Sequence, residues 1–138
     1  MKTVLHEELL LKLSILFSPS FHKQYNHCAP PALLSLLGHF GGSNYAFKPA
    51  AIVTYSPGPW GGMRAAMSLR PVLAELGCSS ISKLCGIAHV SEVLSKDGTP
   101  IDPANRTFKQ LPAMLTDLEW LADAMAKQRE TVGVPKYV

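Results

Sequence analysis

The chain has 138 residues, the length of one domain, and its 47% hydrophobic against 17% charged content excludes a disordered polymer. A net charge of +3, with Lys and Arg scattered and no basic run, argues against nucleic acid as a partner. The three cysteines, Cys28, Cys78 and Cys85, contain no CxxC pair, which excludes a structural zinc site and fits free thiols in a reducing, cytoplasmic setting.

No apolar run approaches the roughly 20 residues that a membrane-spanning helix needs. Residues 5–17 space Leu5, Leu9, Leu10, Leu13, Leu16 and Phe17 as an amphipathic helix would, although Leu13–Ser18 reads equally well as a short buried strand. Glu7, Glu8 and Lys12 interrupt that stretch, and no small-x-small cleavage pattern follows it, so it is not read as a signal peptide. Residues 19–31 are loop material. Ala32–Phe40 reads as a short helix with Pro30 and Pro31 at its start, closed by Gly41-Gly42-Ser43-Asn44.

Ala50–Tyr55 is a continuous apolar run, the pattern of a strand buried on both faces of a parallel sheet. Ser56-Pro57-Gly58-Pro59-Trp60-Gly61-Gly62 follows it at once. Met63, Ala66, Met67, Leu69, Val72, Leu73 and Leu76 then predict a helix, with Pro71 as a kink or boundary and Gly77 as its stop. Residues 80–90 predict a second strand with Ile81, Leu84, Ile87 and Val90 in the core. After the Asp97-Gly98 turn, Phe108–Arg129 is an amphipathic helix built on Leu111, Leu115, Leu118, Leu121, Ala122 and Met125, and Trp120 is expected in the core.

Alternating strands and helices predict an α/β fold with a parallel sheet, in which ligands sit in the loops after the carboxyl ends of strands. The 56–62 loop is at such a position. Its glycines would let backbone N–H groups approach a phosphate or the oxygen-rich edge of a flavin, and the following helix adds its positive end. Gly58-x-x-Gly61-Gly62 is neither a dinucleotide fingerprint nor a Walker loop, and a tight strand-to-helix connection explains the glycines equally well. Arg64 stands in the first turn of the helix, where a ligand contact and a surface salt bridge are both open to it. Arg70 is expected at the surface or in an interface. His22, His27 and Cys28 lack the further ligands of a metal site, so none is expected. His39 and His89 read as structural or surface residues, and Cys78 and Cys85 as small packed hydrophobes.

Three stretches, "YNHCAPPAL" (25–33), "KPAAIVTYSPGPWGGMRAAMSLRPVLAELGC" (48–78) and "DGTP" (97–100), resemble the NADPH-dependent FMN reductase family of flavodoxin-like proteins. The resemblance implies a three-layer sandwich over residues 25–135, truncated at its N-terminus and preceded by a divergent segment, 1–24, in which the family's first strand and phosphate loop have no counterpart. It implies that Tyr25, Asn26, His27, Ser56, Gly58, Trp60, Gly61 and Gly62 line the edge of FMN. It further implies hydride transfer from NADPH or NADH through FMN to a small-molecule acceptor such as a quinone. No catalytic acid, base or nucleophile is needed, because the cofactor carries the chemistry. Without the phosphate loop, weak FMN binding is expected. Oligomers are expected too, either of this chain alone or with a full-length relative. In the second case the chain could be an inactive homologue that acts as an oligomerisation partner.

Overall fold

The computed structural model describes residues 26–135, so the helix or strand expected within residues 5–18, and Tyr25 and His22, lie outside the described residues. α1 (Pro31–His39) starts where Pro is tolerated, with Pro30 at the N-cap and Pro31 in the first helical position, and it buries Leu33 and Leu37, one turn apart. A 3-10 turn, Gly42–Asn44, leads into β1 (Pro49–Tyr55). α2 (Met63–Glu75) then carries the chain to β2 (Ser79–Ile87). α3 (Val90–Val93) is a single turn, and α4 (Arg106–Thr131) closes the described chain.

β1 and β2 are parallel, joined through α2 as one βαβ unit. The side chains of β1 alternate between two cores. Ala50 and Ile52 pack with Ala29, Leu33, Leu37, Ala66, Leu69 and Leu73 under α1 and α2. Ala51 packs with Ile81, Cys85, Met114 and Leu118 under α4. Helices therefore cover both faces of the sheet, the three-layer α/β arrangement that the element order predicts. Leu37, Leu73 and Met114 are each 1% exposed, and truncating any of them to Ala should cost about 2–5 kcal/mol.

The strand pairing is interrupted. Ala50 faces Ser80 but Ile52 faces Leu84, so Ala51 stands opposite three residues of β2, Ile81 to Lys83. This bulge turns backbone carbonyls out of the ladder. Arg70, expected only as a surface or interface side chain, supplies their donor: its Nη2 reaches the carbonyls of Ile81 at 3.1 Å and Ser82 at 2.8 Å. On the other face Lys83 Nζ holds α4, 2.9 Å from Asp117 Oδ1 and 3.3 Å from the Ala113 carbonyl. The bulge is thus clamped to a helix on each side.

Several expectations need correction. Pro71 is not a boundary: α2 continues past it, and Pro71 and Met67, whose carbonyl would have received the missing N–H, both lie on the exposed side. The buried stripe of α2 is Ala65, Ala66, Leu69 and Leu73, while Met63 and Met67 flank it at 37% and 57% exposure. Val90 is not in β2. His89 takes a left-handed conformation, φ +47°, which ends the extended chain and starts α3. Cys85 takes the core place in β2 together with Ile81. Trp120 is 73% exposed, since Met114 and Leu118 are the residues that α4 buries.

Gly77 does stop α2. With φ +84° it lets its own N–H reach the Ala74 carbonyl at 2.9 Å and the Cys78 N–H reach the Leu73 carbonyl at 2.8 Å, the paired bonds of a Schellman cap. Among the described residues no helix is long and apolar enough to cross a membrane.

Candidate functional site

The loop between β1 and α2 starts by continuing the sheet. The Ser56 N–H donates to the Ile87 carbonyl at 3.0 Å, and the Ser56 carbonyl accepts from Val90 at 3.1 Å. Ser56 is 5% exposed, and its hydroxyl donates to the Gly58 carbonyl at 2.9 Å, so the side chain shapes the turn. The carbonyls of Gly58, Trp60 and Gly61 are taken in the same way. The Gly58 carbonyl also accepts from His89 N–H at 3.2 Å, that of Trp60 from Met63 N–H at 3.0 Å, and that of Gly61 from the Thr54 hydroxyl at 2.7 Å.

The N–H groups are arranged in the opposite sense. Pro57 and Pro59 have none, and no described residue accepts from Gly58, Trp60, Gly61 or Gly62. Gly61 and Gly62 are buried, and the start of α2 carries no side-chain cap. Buried donors normally find acceptors, yet the Gly61 and Gly62 N–H groups have none among the described residues, while the carbonyls of Ser56, Gly58, Trp60 and Gly61 are taken from within. The helix dipole adds positive potential at the same point.

The glycines divide into two kinds. Gly61 has φ +56°, and a Cβ there would stand 2.9 Å from the Gly86 carbonyl carbon. Gly62 has φ +74°, and its Cβ would stand 2.8 Å from Thr54 Cβ. Both are required by the protein's own packing, which presses the loop onto the strand ends. Gly58 is different: a Cβ there meets nothing within 4 Å. Of the three, only Gly58 leaves open space where a ligand would approach.

The turn at Asn26 and His27, with φ of +47° and +65°, reaches this loop through Arg64. Arg64 Nη1 lies 3.1 Å from His27 Nδ1, and its guanidinium carbon is 5.3 Å from the centre of the Trp60 ring. His27, Arg64 and Trp60 therefore stand together, and Ser56, Gly58, Gly61 and Gly62 belong to the same loop. Asn26 is exposed at the neighbouring turn position. His22 aside, which lies outside the described residues, no three His, Cys, Asp or Glu among the described residues are placed to hold a metal ion.

Sequence reasoning missed Thr54 and Gly86. Thr54 ties down the Gly61 carbonyl. Gly86 lets both Gly61 and Met63 approach β2, since a Cβ there would stand 2.8 Å from Met63 Sδ. The available signal was a lone glycine inside a strand pattern, which marks a close approach of backbone. Neither Cys78 nor Cys85 is poised for chemistry. Burial pushes the Cys85 thiol up, and burial also raises that of Cys78 although Lys48 pulls the other way.

Comparison with known proteins bears on what such a loop does. The model of one family, described as NADPH-dependent FMN reductase, matches residues 15–92. No curated protein matches the chain. The matched stretch contains β1, the glycine loop, α2, β2 and the His27 turn, so every element of the site just described falls inside it.

Proposed function

The chain belongs to the NADPH-dependent FMN reductase family, and from that premise we propose that it binds FMN at the 56–62 loop and passes reducing equivalents from a nicotinamide donor to a small-molecule acceptor. Its parallel βαβ unit with helices on both faces is consistent with the flavodoxin-like α/β fold of that family. The observation that carries the reading is the polarity of the loop: the carbonyls of Ser56, Gly58, Trp60 and Gly61 are taken from within, and the N–H groups of Gly58, Trp60, Gly61 and Gly62 have no acceptor among the described residues, at the start of α2, which no side chain caps.

That donor set fits the oxygen-rich pyrimidine edge of a flavin. The N–H groups of Gly58, Trp60, Gly61 and Gly62 would hold it, and Gly58 leaves the approach clear. When bound, FMN supplies hydride acceptance at its N5 and onward delivery of electrons. The protein contributes fixed donors where negative charge grows on reduction, an electrostatic preference that needs no rearrangement at the moment of transfer. Thr54, Ser56 and Gly86 act at one remove by keeping the loop pressed onto the strand ends. No side chain is assigned as an acid, base or nucleophile. Asn26 and His27 complete the proposed edge from the neighbouring turn, and Tyr25, outside the described residues, is proposed with them on the family resemblance alone.

An FMN titration followed by flavin fluorescence tests this, with Gly58→Val as the control. A Cβ at position 58 meets nothing within 4 Å, so Gly58→Val should leave the fold intact and weaken FMN binding at least tenfold. Equal affinity in the variant would remove the loop from the flavin site. A second reading, a non-catalytic partner of a relative, is favoured by the large apolar side chains at the surface: Leu34, Leu36 and Phe40 on one side, Trp120 on the other. It predicts a colourless chain that elutes as a mixed oligomer with a reductase.

A further inference from the structure

One side of α4 is not used by the fold. Met114 and Leu118 are the residues that α4 buries. Thr116 stands midway between them in sequence and, at about 100° per residue, falls on the opposite side of the helix. Lys109, Pro112, Thr116, Trp120 and Asp123 recur along that side at intervals of three and four residues, and all five are exposed. Trp120, the largest of them, is 73% exposed. Lys109 and Asp123 enter no ion pair among the described residues, where the pairs are Lys83 with Asp117 and His89 with Glu92. The Thr116 hydroxyl donates to the Pro112 carbonyl of its own helix at 3.0 Å, so the middle of the stripe carries no polar hydrogen in need of water.

The stripe is symmetric about Thr116. Pro112 and Trp120 lie four residues to either side of it, and Lys109 and Asp123 lie seven to either side. A contact between two identical helices needs that property. When they cross antiparallel on a twofold axis, each residue meets the one equally far on the other side of the centre. With the axis at Thr116, each Trp120 covers Pro112 of the second copy, and each Lys109 meets Asp123 of the second copy, about 10 Å from the centre along the helix. Lys127 falls at the end of the pair, opposite Asn105 of the second copy. A parallel pairing would set each charge against its own kind, and any other antiparallel register on a twofold axis breaks both matches. We infer that two copies of this chain associate through α4, antiparallel and centred on Thr116. A single helix pair stands at the small end of specific interfaces, so the dimer is reversible. The inference does not rest on the flavin reading, since the stripe shares no residue with the 56–62 loop, and it concerns self-association rather than assembly with a relative.

The test is sedimentation equilibrium of the full chain over a concentration series, with charge exchange at the stripe. The expected result is a monomer–dimer equilibrium that Trp120→Ala, Asp123→Lys and Lys109→Asp each weaken at least tenfold. A one-to-one mixture of the Asp123→Lys and Lys109→Asp proteins should restore dimers, because every charge then meets its opposite. All three positions are exposed, and circular dichroism confirms that each variant is folded. The chain has two tryptophans, so Trp60→Phe leaves Trp120 as the sole indole, whose emission should move to the blue as dimer forms. A monomer at every concentration overturns the inference. So does a dimer that ignores the three substitutions, or a mixture that associates no better than its components. A monomer whose Trp120 emission is already blue also overturns it, and would point to residues 1–25 of the same chain as the cover. A chain that dimerises as expected but binds no FMN keeps this inference while the flavin reading falls, and a monomer that binds FMN does the reverse.

Discussion

Gly58, Gly61 and Gly62 stand within five residues of one another and do different work. Substitution separates them. Gly61→Val places a Cβ 2.9 Å from the backbone of Gly86 at a positive φ, and should cost of the order of 3 kcal/mol from strain and overpacking. Gly58→Val should change stability by less than about 0.5 kcal/mol, as measured by denaturant midpoint. The three thiols are graded by burial. Cys28 is exposed and should alkylate first, whereas Cys85, 1% exposed and with its thiol pushed up by burial, should label only when the chain unfolds. A time course by mass spectrometry reads that order directly. Asp97 is a third case. Hydrogen bonds from the Ser95 hydroxyl, and then from the Thr99 hydroxyl and backbone, hold its carboxyl down at about 2. A depressed carboxyl stabilises the fold fully above its unfolded value, near 3.9, and that contribution is lost as pH falls through about 2. The 95–99 turn should therefore remain ordered at pH 3, and a carbon-detected titration of the Asp97 carboxyl would show a midpoint near the usual 3.9 if the hydrogen bonds did not form in solution.

Among the elements, the bulge in β2 is the feature that sets the geometry of the site. It moves the pairing so that Gly86 lies opposite Thr54, the residue whose hydroxyl holds the Gly61 carbonyl. Arg70→Met keeps the bulk of the side chain and removes the donor to two carbonyls, one of them in a buried residue, Ile81. It should cost about 1–3 kcal/mol and loosen the loop at the end of the strand, seen as faster amide exchange at Ile87 and Ser56. Asp117→Asn at the exposed clamp on the other face should cost under about 1 kcal/mol. Elements of this kind show what the sequence makes legible. α1, β1, α2, β2 and α4 follow from periodicity and from Pro and Gly signals, because burial on one or both faces writes a repeat into the chain. The bulge does not, since Ile81, Ser82 and Lys83 keep the strand composition, and the donor that satisfies their carbonyls comes from Arg70 on another element. Trp120 misled for a related reason: an aromatic residue has a strong average tendency to be buried, but rotation about the α4 axis is decided by Met114 and Leu118. Pro71 misled as a boundary, because the carbonyl it leaves without a donor, that of Met67, is on the exposed side of α2.

For the molecule as a whole, one βαβ unit with helices on both faces positions a donor-rich loop at the carboxyl end of β1, where ligands of open α/β sheets bind. The position of the loop was legible from the order of elements, and its likeness to a flavin-binding family from its residues. The polarity of the loop was not, because the partners of its carbonyls come from Thr54, Ser56, His89 and the helix itself. The role of Arg64 as the link between the His27 turn and Trp60 was likewise hidden, since residues 37 positions apart have no pattern in common. The central claim, that this loop holds a flavin, is tested most directly by titrating FMN into the purified full chain while following flavin fluorescence and elution volume on the same sample. The account predicts saturable quenching that is weakened at least tenfold by Gly58→Val in a protein of unchanged elution volume. A folded chain that leaves FMN fluorescence unquenched, or a Gly58→Val variant that binds as well as the parent, would contradict it.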